Sequence, residues 1–122
     1  MTATETLIRD FEKFFIHYQE VWNGCNAEQI SAFMSEDIVI RWGGPGHHID
    51  DWGYEQAKIG WQQAYQQYEG HHPKWHFTVL HLTPATDNEV IATFWVTFET
   101  DGKLLDVVKL FVQRFRKEQN QD

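Results

Sequence analysis

The N-terminal part of the chain spaces its apolar side chains at threes and fours. Leu7, Phe11, Phe14, Phe15, Tyr18, Val21 and Trp22 fill one face of a helix over residues 4–22. The run "NGCN" ends that helix, because Asn and Gly favour turns and helix ends. Asn26 with Gln29 three residues on is a capping-box pattern, and Ile30, Phe33 and Met34 give a short second helix its buried stripe. "DIVIRW" then alternates, with Ile38, Ile40 and Trp42 on one side and Val39 and Arg41 on the other, which predicts a short strand. After "GGPGHH", Asp50 or Asp51 is the expected N-cap of a third helix. Its face is Tyr54, Ala57, Trp61, Ala64, Tyr65 and Tyr68, and Gly70 is its stop.

The remainder reads as strand. "KWHFTVLHL" (74–82), "EVIATFWVTFE" (89–99) and "KLLDVVKLFVQRF" (103–115) are rich in β-branched and aromatic residues and are joined by the turn signals "PATDN" and "TDG". The last two strands are apolar on both faces: Phe94, Val96 and Phe98 oppose Trp95, and Val107 and Phe111 oppose Val108 and Leu110. Such strands need cover on both sides. Helices supply one cover, and a second copy of the chain is expected to supply the other, giving a homodimer through the sheet's outer face. Helices first and antiparallel strands after is the order of an α+β fold, with helices packed on one face of a curved sheet. The 122 residues form one domain, 1–122.

Charge and composition narrow the partners. A net charge of −8 with only ten Lys and Arg, spread along the chain, argues against nucleic acid. No apolar run approaches the length of a membrane span. The single cysteine, Cys25, cannot form an internal disulfide; it is expected to be a small buried hydrophobe in a reduced, cytoplasmic protein. At 16% the aromatic content is high, so the planar side chains either fill a large core or line a hollow one.

Histidines offer the obvious chemistry. His47 and His48 follow a glycine loop and precede Asp50 and Asp51, and an imidazole beside a carboxylate is a competent base near neutral pH. The same residues also suit a surface turn with a capping aspartate. His72 and His76 have helical i, i+4 spacing, but Pro73 and the strand pattern remove the helix that would align them. His76 and His81 are expected on opposite faces of their strand. No metal and no cofactor is expected.

The element order, with "HYQEVWNGCNAEQISAFMSEDIVIRW" inside it, resembles the SnoaL-like or ketosteroid-isomerase-like superfamily, also called nuclear-transport-factor-like. The shared features are an aromatic first helix ending in "WN", a short capped helix, "F-x-x-x-D" leading into a strand, and then a helix and long strands. The resemblance covers residues 4 to about 115. It implies a cystatin-like cone, a bent sheet around the helices, with an apolar cavity whose mouth lies near the end of the first strand. Members include isomerases, cyclases, dehydratases, ligand binders and dimerisation modules, so the fold leaves the function open. In the steroid isomerases a Tyr on the first helix donates to the developing enolate, an Asp moves the proton, and a protonated Asp supplies a second donor. Laid on this chain without gaps, the Tyr falls on Tyr18, the base on Trp42 and the second acid on Lys109. Trp42 takes no proton, which excludes that mechanism. The family's final strand has no counterpart in "RKEQNQD".

From this resemblance the expected pocket is lined by Phe14, Tyr18, Trp42, Trp61, Trp95 and Lys109. Trp61 and Trp95 serve either as cavity walls or as plain core, and Lys109 either anchors an anion or snorkels to water. The reading is a small-molecule-binding protein for an apolar or anionic molecule. Any catalysis would be proton transfer of isomerase, dehydratase or cyclase type, with Tyr18 as hydrogen-bond donor and His47 or His48 as the acid–base group. The alternative is a non-catalytic carrier or dimerisation module whose cavity is filled by its own aromatics.

Overall fold

The computed structural model describes residues 2–43 and 49–117. The element order is α1 (Ala3–Asn23), α2 (Ala27–Ser31), β1 (Ile40–Gly43), β2 (Ile49–Trp52), α3 (Tyr54–Gln67), β3 (Lys74–Thr86), β4 (Glu89–Thr100) and β5 (Lys103–Arg116). α1 matches the periodicity, whereas α2 ends at Ser31, so that only Ile30 of its expected stripe is buried within it and Phe33 lies beyond its end and is exposed. Thr2 caps α1 by accepting from the Glu5 N–H, and Asn26 caps α2 by accepting from the Gln29 N–H, as the capping pattern predicts. The buried stripe of α1 is Leu7, Phe11, Phe15, Tyr18 and Trp22, which faces the sheet. Each such side chain contributes roughly 1.5–3 kcal/mol by leaving water.

β3, β4 and β5 form one antiparallel sheet in that order. β4 is central and presents Val90, Ala92, Phe94 and Val96 to the helices, all nearly inaccessible. The β4–β5 hairpin turns on Asp101 and Gly102, both at positive φ, which is the backbone that the Asp-Gly pair supplies at least cost. β1 and β2 form a separate antiparallel pair, with no ladder to the larger sheet among the described residues.

Several expectations from the sequence are corrected. Residues 49–52 are a strand, not the lead-in to a helix: Asp51 lies across from Arg41, whose guanidinium grips its carboxylate through two bonds of 2.8 and 3.0 Å. Neither Asp50 nor Asp51 caps α3. Gly53 does, and its N–H donates to the Gln56 side chain. Cys25 is exposed, at φ 56°, in the turn after α1 rather than in the core. A bulge around Leu80 shifts the β3 register, so His76 (opposite Thr97) and His81 (opposite Thr93) share one face. Trp95 is 41% exposed on the sheet's outer face, because strand alternation turns its neighbours Phe94 and Val96 inward.

Candidate functional site

Two ends of the aromatic cluster are anchored by polar bonds. Tyr18 is buried on α1 and its hydroxyl donates to Gln113 Oε1 at 3.3 Å. Burial pushes its phenol well above the ordinary value, so the group stays a neutral donor. Tyr65 on α3 donates to the Trp22 carbonyl at 2.7 Å, which satisfies one of the orphan acceptors at the end of α1. That bond fixes the last turn of α1 against α3 and therefore fixes Trp22.

Trp22 is the hub of the cone. Its indole meets Trp61 edge-on at 4.8 Å, Phe77 at 4.9 Å and Phe111 at 5.7 Å. Its Nε1–H is buried and has no acceptor among the described residues. An unsatisfied buried donor costs about 1–3 kcal/mol, which makes this the most demanding polar atom in the interior. Above it, Trp42 on β1 packs against Trp52 at 5.6 Å and reaches Phe111 at 6.4 Å, and it remains 37% exposed. Trp61 is half-buried and stacks on Tyr65 at 5.6 Å. Trp22, Trp42, Trp61 and Phe111 are thus linked by ring contacts into one aromatic cluster, with Trp42 partly exposed at its outer end.

The expected site residues divide accordingly. Trp42 and Trp61 belong to this aromatic cluster. Phe14 packs with Tyr18, Phe33 and Phe115 in the hydrophobic cluster. Lys109 is on the helix-facing side of β5, opposite Val96, and is exposed. Tyr18 and Lys109 do not converge: Gln113, the partner of Tyr18, is four residues further along β5, about 13 Å at strand spacing. Lys109 is instead the near neighbour of Phe111, about 7 Å along the strand. His47 and His48 lie outside the described residues. Sequence reasoning passed over Trp22 because the helix periodicity accounts for it as core. Only the missing acceptor marks it.

A groove of about 940 Å³ runs between α1 and the start of β3, bordered by Ile16, Glu20, Asn23 and His76. His76 Nε2 lies 2.7 Å from Glu99 Oε1, and His71 Nδ1 lies 3.2 Å from Asp101 Oδ2. Asn23 closes the β3 edge here: its amide donates to the Trp75 carbonyl at 3.0 Å, and its Oδ1 accepts from the Trp75 N–H at 2.7 Å. Among the described residues, no three of His, Cys, Asp and Glu are placed to hold a metal ion. Partial burial pushes the Cys25 thiol up, away from thiolate reactivity.

No protein-family model matches the chain, and no curated protein matches it either. Solved structures do. A scytalone dehydratase-like protein of Novosphingobium aromaticivorans superposes with a TM-score of 0.66 at 14% identity, over 98% of this chain and 79% of its own. Aln2 from a Streptomyces species gives 0.66 at 18% identity, over 89% and 77%. A protein from Xanthomonas campestris similar to the association domain of calcium/calmodulin dependent protein kinase II gives 0.63 at 15% identity, over 93% and 79%. Helices cradled by a curved antiparallel sheet, matched over nearly the whole chain in all three, show that this protein shares their fold, a nuclear-transport-factor-like α+β cone.

Proposed function

We propose that the protein binds a small, flat, largely apolar molecule in the wedge formed by Trp22, Trp42, Trp61 and Phe111. The observation that carries this reading is the buried Trp22 Nε1–H without an acceptor among the described residues. A carbonyl or carboxylate oxygen of a ligand would supply the missing partner, and the rings would stack on its apolar body. Lys109, two residues along β5 from Phe111 on the same face, would in this reading favour anionic ligands at the open end. Proton-transfer chemistry of isomerase, dehydratase or cyclase type is the catalytic version of this reading, and the scytalone dehydratase-like neighbour supports it. In that version Tyr18 acts as a neutral hydrogen-bond donor through Gln113, and His47 or His48 as the acid–base group.

A homodimer belongs to the same proposal. Val108, Leu110 and Val112 are 58%, 63% and 65% exposed, an apolar stripe that a monomer would show to water, and one structural neighbour is association-domain-like. A lone, exposed Cys25 fits a reducing, cytoplasmic setting.

The test is fluorescence quenching of the tryptophans by 2-naphthoate and by its neutral amide. Lys109→Met should weaken naphthoate by about 1.5–3 kcal/mol, the worth of a charged hydrogen bond, and leave the amide nearly unchanged. Trp22→Phe should weaken both. The other reading, a module filled by its own aromatics, draws on the ring contacts around Tyr18 and Phe115. It wins if neither probe quenches and native mass spectrometry of freshly purified protein finds no bound small molecule.

A further inference from the structure

Asn23 is the last residue of α1, and its side-chain amide plays the part of a neighbouring strand. Its Nδ2–H groups donate to the Trp75 carbonyl at 3.0 Å and to the Gln19 carbonyl at 3.2 Å, and its Oδ1 accepts from the Trp75 N–H at 2.7 Å. One planar amide carries both donors and an acceptor, so it meets the N–H and the C=O of one residue at once, as a paired strand does. Ala offers neither group, and a carboxylate offers only the acceptor. The turn signal "NGCN" accounts for Asn23 as a helix end and leaves this bond pattern unexplained.

The clasp sits one residue from Trp22, whose own carbonyl is held by Tyr65 of α3. Each hold lies beside a ring that the Trp22 indole touches. Tyr65 stacks on Trp61, one helical turn earlier on α3, and Trp61 meets the indole at 4.8 Å. Trp75 is two residues from Phe77 on the same face of β3, and Phe77 meets the indole at 4.9 Å. Tyr65 and Trp75 close the circuit, edge-on at 5.8 Å. The last turn of α1 is therefore pinned to α3 and to β3 at once. This matters because the Trp22 Nε1–H is buried without an acceptor among the described residues. A loosely held helix end would shift until such a donor found a partner. One held from two sides keeps it as it is.

We propose that Asn23 is a positioning residue for the candidate site: by tying the end of α1 to Trp75, it holds the Trp22 indole in the orientation that receives the acceptor atom of a ligand. The proposal rests on the binding reading above and adds the residue that prepares it. Its signature is loss without discrimination. Asn23 acts through Trp22, which serves charged and neutral ligands alike, whereas Lys109 acts only on the charge.

The test reads the indole N–H signals by NMR and the two naphthyl probes by fluorescence. The Trp22 signal, identified by its loss in Trp22→Phe, should exchange slowly with solvent in the wild type, since Trp22 is 4% exposed. Asn23→Ala should shift that signal, speed its exchange, and leave the signal of Trp95 on the outer face in place. It should also weaken 2-naphthoate and its amide alike, by about tenfold. Asn23→Asp should behave like Asn23→Ala at neutral pH and regain the wild-type signal on acidification, because a protonated carboxyl again supplies one donor and one acceptor. The wild type at each pH controls for His72 and His76, which border the same groove. An unmoved Trp22 signal in both variants, with stability lowered, overturns the positioning and leaves Asn23 an edge cap. A wild type that binds neither probe overturns the binding reading, and the indole signals then report separately whether Asn23 sets Trp22.

Discussion

Tyr65→Phe isolates one buried bond that positions the whole candidate site. Tyr65 is 7% exposed and its hydroxyl donates to the Trp22 carbonyl at 2.7 Å. That carbonyl belongs to the last turn of α1, where four carbonyls lack helical partners. Its neighbours are already served: the Gly24 N–H donates to the Val21 carbonyl, and the Asn23 amide donates to the Gln19 carbonyl. Nothing else among the described residues is placed to replace Tyr65. The substitution removes one atom, leaves the ring stacked on Trp61, and strands a buried acceptor, so the expected loss is about 1–3 kcal/mol. For a chain of this length that is roughly 4 °C in Tm per kcal/mol. Urea unfolding followed by far-UV circular dichroism reads the loss directly, with Tyr54→Phe as the control, expected within about 0.5 kcal/mol of wild type. If Tyr65→Phe matches that control, the bond does not hold α1 to α3 and the argument for a fixed Trp22 fails.

Asn23→Ala removes two bonds to Trp75 and unblocks the β3 edge, so it should lose about 1–3 kcal/mol and aggregate more readily in light-scattering assays. Gly60→Ala gains helix propensity but sets a Cβ 2.7 Å from Trp52 Cζ3, and the clash should win. The net loss should be about 1–2 kcal/mol in chemical denaturation, with a changed near-UV tryptophan signal. Alkaline pH should be selectively destabilising. Burial raises the Tyr18 and Tyr65 phenols above their unfolded values, so the stability they hold is intact below about pH 10 and lost as pH rises towards the folded values. Absorbance titration should show these two tyrosines ionising only on unfolding. At the acid end the signs reverse. Lys117 holds Asp10, and Arg41 holds Asp51, below the usual carboxylate range. Both contributions are present above about pH 4 and disappear as pH falls through the lowered values. Both pairs are on the surface, so high salt should shrink that limb of the pH profile.

Local chemistry settled much of the architecture. The stripe from Leu7 to Trp22, the Asn26 cap, the Asp-Gly turn and the alternation of Val90 to Val96 each depend on near neighbours in the chain, and each formed as the pattern implies. What depended on distant partners was not legible. Residues 49–52 became a strand because β1 lies beside them, and the cross-strand grip of Arg41 on Asp51 recruits a carboxylate that local rules assign to a cap. The bulge at Leu80 moved His81 across the sheet, and a shift of one residue flips every later side chain. The candidate site is the extreme case. Helix periodicity is enough to bury Trp22. Whether its N–H finds an acceptor depends on Tyr18, Trp61, Phe77 and Phe111, which only the folded chain brings together.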